Sequence, residues 1–383
     1  MTANLPRALF VGAFPPPGTT VLGGMVTSCR LLLESTLPSQ VALDLFDSTQ
    51  ISNPPPPLRV RLFRAAARFV RYIRRFEKQR PDVVLLFVAL GGSIVEKGAM
   101  AWYARLRGVP VVMFPRGGAV VDDCERSGLT RQWVRASFRG ARTIVCQSEV
   151  WRSFAVDVLG FERSNVVVMR NWTATADLLG IGERRERRAA GAPVRLLFLG
   201  WLERDKGVFE LLEACRRLAA TREFIVEIAG EGNASEEARA FVTSHGLGSI
   251  VHFRGWLRGD GLHAALRDAD VLVLPSWAEG LPNAMVEAMA ARLAVVVSAV
   301  GAIPEIIADG FSGMLVEPRN ATALTDALAQ VTGDPALRER LAGESFRIAA
   351  REFALEQAAD RLAEVIRATV AAGRAGRLSG HTL

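Results

Sequence analysis

The stretch ADVLVLPSWAEGLPNAMVEAMA (residues 269–290) reads as a strand, a tight loop and a helix in succession. Residues 271–275 are apolar without interruption, the mark of a strand buried on both faces of a parallel sheet. Pro282 suits the first turn of a helix, and residues 284–293 continue in good helix formers. Glu279 then falls in the loop at a strand's carboxyl end, and Glu287 lies one to two turns into the following helix. Backbone N–H groups at that helix start point toward the crevice where an open α/β sheet binds anions. The competing reading is a helix cap. Ser276 and Glu279 fit the S-x-x-E capping box, which would leave Glu287 solvated on an outer face.

Outward from this segment the same unit repeats. Strands are expected at 8–13, 41–46, 83–89, 109–114, 143–147 and 166–170, with helices such as 60–79 and 130–139 between them. After Asn171 the pattern lapses into GIGERRERRAAGAP (180–193), rich in Gly, Arg and Ala, and then restarts. The second series of strands is expected at 195–200, 224–229, 250–253, 271–275, 295–298 and 313–316. Strands alternating with helices imply a mostly parallel, doubly wound sheet. The expected fold is therefore α/β, with two tandem Rossmann-like domains and a ligand site in the cleft between them. The expected division is 1–178, a linker at 179–193, a second domain at 194–354, a closing helix at 355–372 packing back on the first domain, and a flexible tail at 373–383.

Bulk properties narrow the class. A chain of 383 residues exceeds one ordinary core. Half its residues are apolar and 23% are charged, which is globular composition. Cys29, Cys124, Cys146 and Cys215 are scattered, without the paired spacing of a disulfide framework or zinc site, and this fits a reducing cytoplasm. No metal is expected. No apolar run reaches the roughly 18 residues that cross a bilayer. A weak signal peptide at the N-terminus is the alternative to a first strand, which the turn after residue 13 favours. The net charge of +7 is uneven: residues 1–180 hold 23 basic and 13 acidic side chains, a net of +10, against 24 and 27 in the remainder, a net of −3. The first half therefore faces something negative.

RVRLFRAAARFVRYIRRFEKQR (59–80) sets Arg64, Arg68, Arg71 and Arg75 near one stripe and Leu62, Phe69, Ile73 and Phe76 on another. Such a helix can lie on an anionic membrane, with RQWVRASFRGAR (131–142) as a second patch. An ordinary solvated face is the alternative. The aromatics do not interleave with arginines as a nucleic-acid stacking platform would, so no nucleic acid is expected.

Other residues sit where ligands bind. Lys206 lies in FLGWLERDKG (198–207), between strand and helix, in a chain with only three lysines among 47 basic residues. A compact charge there is aimed at phosphate, with Arg204 beside it; a surface cation is the plainer reading. Gly23 and Gly24, in FPPPGTTVLGGMV (14–26), precede a helix and let the backbone approach a ligand. FPRGGAV (114–120) places Arg116 on the same edge, to hold phosphate or acceptor or to form a structural ion pair. AGEGNAS (229–235) lacks the third glycine of a dinucleotide fingerprint and is set aside.

Together these residues resemble the retaining glycosyltransferases of the GT4 family, which have the two-domain GT-B fold. The resemblance spans nearly the whole chain. It rests on Glu279-x7-Glu287 within EGLPNAMVEAMA, on GWLERDKG upstream and on GAIPEIIADGFSGMLVEP downstream. It implies a nucleoside diphosphate sugar as donor, with no further cofactor. It implies that Glu279 lies by the donor sugar, that Glu287 binds the ribose hydroxyls, and that Lys206 with the amides of Gly280 and Leu281 holds the diphosphate. Where the family carries an arginine after the strand glycine, this chain has Trp201, so neutralisation would lean on Lys206 and Arg204. The first-domain rim carries Arg116-Gly117 where many members have a histidine before glycine, a pattern that fits saccharide or lipid-linked acceptors. Expected partners are therefore the donor, such an acceptor, and an anionic membrane at the inner face of the cytoplasmic membrane.

Eight positions along one helix span roughly 12 Å, whereas a double-displacement carboxylate pair needs about 5–5.5 Å. Glu279 and Glu287 should therefore grip different parts of one donor. The rival readings are a nucleotide-sugar epimerase of the same fold, a tandem-Rossmann dehydrogenase, disfavoured by the missing G-x-G-x-x-G, and a non-catalytic membrane-docked scaffold.

Overall fold

The computed structural model describes residues 5–15, 23–49, 57–89, 91–116, 119–186, 189 and 191–379. It divides the chain into two units, Met1–Asn171 with Leu355–Leu383, and Trp172–Ala354. Each unit holds a six-stranded sheet in which every strand pairing is parallel.

The first unit contains β1 (Arg7–Gly12), β2 (Ala42–Asp47), β3 (Val83–Val88), β4 (Val111–Pro115), β5 (Thr143–Cys146) and β6 (Val166–Val168). Their order across the sheet is β2-β1-β3-β4-β5-β6. The second contains β7 (Val194–Leu199), β8 (Phe224–Ala229), β9 (Val251–Gly255), β10 (Val271–Leu274), β11 (Ala294–Ser298) and β12 (Met314–Val316). Their order, β12-β11-β10-β7-β8-β9, runs outward in both directions from the β7/β10 junction. That is the doubly wound dinucleotide order, with its reversal point between the first and fourth strands.

Burial explains why these runs become strands. β3, β4, β10 and β11 are buried at every position, so no polar face alternates with the apolar one. In the second unit, Leu211, Leu212 and Cys215 from the helix Val208–Leu218 and Met285, Val286 and Met289 from the helix Asn283–Ala290 join this sheet in one apolar core.

The basic helix occupies Leu58–Gln79. Phe69, Ile73, Tyr72 and Phe76 turn to the core of the first unit, while Leu58, Leu62 and Phe63 stay exposed. Arg68 grips Glu96 bidentately at 2.7 and 3.0 Å, and Arg75 donates to Asp44 at 2.9 Å. Half of the expected basic stripe is therefore spent on ion pairs, and the rest of the apolar stripe beyond Leu62 is the helix's core-facing side.

Two expectations about organisation are corrected. The expected linker at 179–193 begins inside a helix, Ala176–Glu183, whose Leu178 and Ile181 are buried in the second core. The chain enters the second unit earlier, at Trp172. Gly180 and Gly182 made the segment look like a loop. A Cβ on Gly182 would stand 2.5 Å from the carbonyl oxygen of Ala290, so glycine is what lets this helix pack. Arg185 then donates to the carbonyls of Leu266, Ala269 and Ala291, tying down chain ends that lack helical partners. Likewise the final helix runs Leu355–Ser379, through the start of the expected tail. It lies on the first unit: Thr369 and Thr143 share a 2.9 Å hydrogen bond, and Gly373 packs against Pro110. Residues 187, 188, 190 and 380–383 of those expected segments lie outside the described residues, as do 16–22 and Gly117.

Burial pushes the thiols of Cys29, Cys146 and Cys215 up from 9.0 to about 12. We expect none of the three to be alkylated in the native protein at pH 8, and all three to react on unfolding, as peptide mass spectrometry would read. Their stability contribution has a sign: above pH 9.0 the unfolded chain sheds thiol protons that the folded one keeps, so these groups weaken the fold as pH rises toward 12.

Candidate active site

Loops leave β7 and β10 toward opposite sides of the second sheet, which opens a crevice at their carboxyl ends. The β7 loop ends in a single 3-10 turn, Arg204–Lys206, and the β10 loop carries Glu279. Lys206 Nζ donates to Glu279 Oε1 at 2.8 Å, with the side chains 22% and 14% exposed. Among the described residues this is the one bond Lys206 Nζ makes, which leaves two of its three donors for a ligand.

Backbone contacts hold the two loops together. The Trp277 N–H donates to the Asp205 carbonyl at 2.7 Å. Gly207, with φ 74°, follows the turn, and a Cβ there would lie 2.0 Å from the Pro275 carbonyl oxygen. On the other side Gly301, with φ 56°, abuts the Glu279 carbonyl oxygen, where a Cβ would also come within 2.0 Å. The Ala302 N–H completes the clamp on the Gly280 carbonyl at 2.9 Å. Leu281 anchors the loop with a side chain buried in the core.

The capping-box alternative does not describe this loop. Ser276 Oγ is buried with no hydrogen-bond partner among the described residues, and the Glu279 carboxylate is taken by Lys206. The helix starts later, at Asn283, with Pro282 at its N-cap instead of in its first turn. Glu287 sits in the second turn of that helix, half-buried.

Arg204 is not brought to the pair. It ion-pairs with exposed Glu237 and stacks over Phe209, its guanidinium carbon 4.8 Å from the ring centre. Trp201 meets Trp256 edge to face at 4.8 Å. Gly230 and Gly232, in the segment set aside as a broken fingerprint, are packing glycines. A Cβ on them would stand 1.7 Å from the Gly200 oxygen and 2.4 Å from the Leu202 oxygen.

The remaining candidates lie in the first unit. Gly23, with φ 146°, is the N-cap of the helix Gly24–Glu34. Arg116 follows β4, and its Nη2 donates to Ser28 Oγ on that helix at 2.6 Å. Its guanidinium lies 5.1 Å from the ring of Phe114 and 5.8 Å from that of Phe87. Burial pulls its pKa down to about 10, which still leaves it cationic at neutral pH.

Sequence reasoning missed Trp277, Glu210 and Arg319. The Trp277 indole donates to Glu210 Oε1 at 2.9 Å, and Arg319 stacks over the indole at 4.4 Å. A tryptophan two positions before Glu279 in the same loop was the available signal. The precise role of Gly301 could not be read from spacing, because the contact it permits joins residues far apart in the chain.

Residues 182–346 match the family described as Glycosyl transferases group 1, and residues 44–172 the Glycosyl transferase 4-like domain. The chain is 30% identical over 186 residues to the alpha-D-kanosaminyltransferase of Streptomyces kanamyceticus, covering 48% of either chain. It is 28% identical over 229 residues to the lipopolysaccharide core biosynthesis glycosyltransferase LpsE of Rhizobium meliloti, covering 60% of this chain and 65% of LpsE. The chain thus spans about half the length of the first of these relatives. A solved structure of Anabaena HepE in complex with UDP-glucose shares the fold, with TM-score 0.69 and 16% identity over 95% of this chain and 100% of HepE.

Gly301→Ala should strain the clamp on Glu279 and destabilise the protein by about 1–3 kcal/mol. Gly248→Ala, where a Cβ meets nothing within 4 Å, serves as the comparison. Equal urea midpoints for the two variants would show that the clamp carries no strain.

Proposed function

The chain belongs to the GT4-type glycosyltransferase family, and from that we propose that it moves a sugar from a nucleoside diphosphate sugar to an acceptor hydroxyl with retention of anomeric configuration. The observation that supports this most is the Lys206–Glu279 pair at the β7/β10 reversal point, beside the helix that carries Glu287. HepE, solved with UDP-glucose, supports a uridine diphosphate sugar as the first donor to test.

In this reading the charge that must be stabilised is on the departing diphosphate. Lys206 supplies a point charge, and the starts of the helices Val208–Leu218 and Asn283–Ala290 add the positive end of the peptide dipoles. Glu279 holds Lys206 in place and lies by the donor sugar, next to Gly280 and Leu281. Glu287 accepts from the ribose hydroxyls. Arg116, with Gly23 and Gly24, forms the phosphate- or acceptor-binding edge of the first unit.

The acceptor we propose is a saccharide or lipid-linked saccharide of cell-surface glycan assembly, a reading supported by the likeness to LpsE. Exposed Leu58, Leu62 and Phe63 among Arg59, Arg61 and Arg64 support contact with an anionic membrane, where such an acceptor would reside. No helix among the described residues is long and apolar enough to cross a membrane.

Calorimetry against UDP and GDP sugars should find one tight donor. Lys206→Ala should lower kcat by about 10²–10³-fold, the usual cost of one donor to a developing oxyanion. Glu287→Ala should weaken donor binding by about 10- to 100-fold, as for a lost hydrogen bond to a charged group. Wild-type kinetics in both variants would sink these assignments. Conversion of the donor to a different nucleotide sugar without acceptor would favour the epimerase reading instead.

A further inference from the structure

At the amino-terminal edge of the first sheet, opposite the edge that holds Gly23, Gly24 and Arg116, lies a cavity of about 610 Å³. Its walls include Arg105, Arg139 and Arg142, with Pro110 and Leu159 as apolar floor. Arg135 stands at the same place, its Nη2 within 3.3 Å of where a Cβ on Gly160 would be. Among the described residues, Arg135, Arg139 and Arg142 have no carboxylate within ion-pair distance. The lining carboxylate of Glu162 instead accepts from Asn165 at 3.5 Å. Arg105 is fixed in place by its bond to the Arg139 carbonyl and by stacking over Trp102 at 5.2 Å.

The rim of this cluster is apolar. The helices Gly92–Leu106 and Gly128–Phe138 lie side by side, joined by the Trp102 indole donating to the Ala136 carbonyl at 2.8 Å. Leu106 is 79% exposed where the first of them ends beside the cavity. Trp102, over which the lining Arg105 stacks, is 39% exposed, and Trp133 and Leu129, 64% and 71% exposed, extend apolar surface along the second helix away from the cavity.

We propose that this cavity is a headgroup pocket for an anionic, phosphate-bearing lipid. The arginines' planar forks match phosphate oxygens in pairs, and an anion relieves the repulsion among cations that the protein leaves without counter-charge. Exposed Leu106 and Trp102 beside it suit the headgroup–acyl boundary, which a soluble phosphate would not require. The pocket docks the first unit on a membrane independently of donor chemistry, and it adds a specific contact to the diffuse charge of the helix Leu58–Gln79.

The test is cosedimentation of the full chain with phosphatidylcholine vesicles, with and without phosphatidylglycerol, at fixed ionic strength. Binding is expected only to the anionic vesicles. Arg139→Gln with Arg142→Gln should weaken it by about 25-fold, taking about fivefold for each arginine at such a surface. The same pair changed to lysine should give an intermediate loss. Unchanged donor binding and an unchanged urea midpoint show that the variants fold, so a failure here is separable from a failure of the transfer reading. The proposal is overturned if wild-type protein ignores anionic vesicles, if either double variant binds as wild type does, or if glycerol 3-phosphate in solution binds as tightly as vesicles.

Discussion

Two stretches of backbone touch where side chains would forbid it. Gly207 lies against the Pro275 carbonyl and Gly301 against that of Glu279, each at a distance that a single methyl group would violate. Both glycines have positive φ, a conformation that costs most other residues free energy. The loop bearing Glu279 is thereby pinned from both sides, and the half-buried ion pair to Lys206 follows from that pinning. A lysine on a flexible stem would otherwise spend rotamer entropy to hold one geometry. Here the partner carboxylate is already fixed.

The arginines divide into two kinds. Those at 68, 75 and 185 are consumed by neighbouring carboxylates or carbonyls and hold elements together. Those at 135, 139 and 142 have no such partner among the described residues. The net +10 of residues 1–180 is therefore not an even coat of charge. Arg68 and Arg75 are matched by carboxylates already subtracted in that net, while Arg135, Arg139 and Arg142 gather part of the excess where an anion fits.

The strands were legible because apolar runs without alternation have one common explanation, a sheet covered on both faces. The loop with Glu279 was legible for a related reason: a strand followed by a helix leaves only its connecting residues at the ligand-binding edge. The helix Ala176–Glu183 was not legible. Its glycines serve tight packing against Ala290, and in a sequence such glycines look the same as those of a flexible link. The reach of Arg204 toward Glu237 was equally hidden, since adjacency to Lys206 in sequence says nothing about which way a side chain turns out of a 3-10 turn. What sequence conveyed was periodicity; what it concealed was contact between distant segments.

The first unit is built from both ends of the chain, residues up to Asn171 and then from Leu355 onward, with the second unit continuous between them. During synthesis the second unit therefore has all its residues before the first receives its closing helix. Until that helix arrives, the faces of β3 and β4 that it covers stay open, and the partly built unit has apolar surface to shield while its neighbour is already able to fold. Order of emergence thus makes the earlier-translated half the later one to be finished.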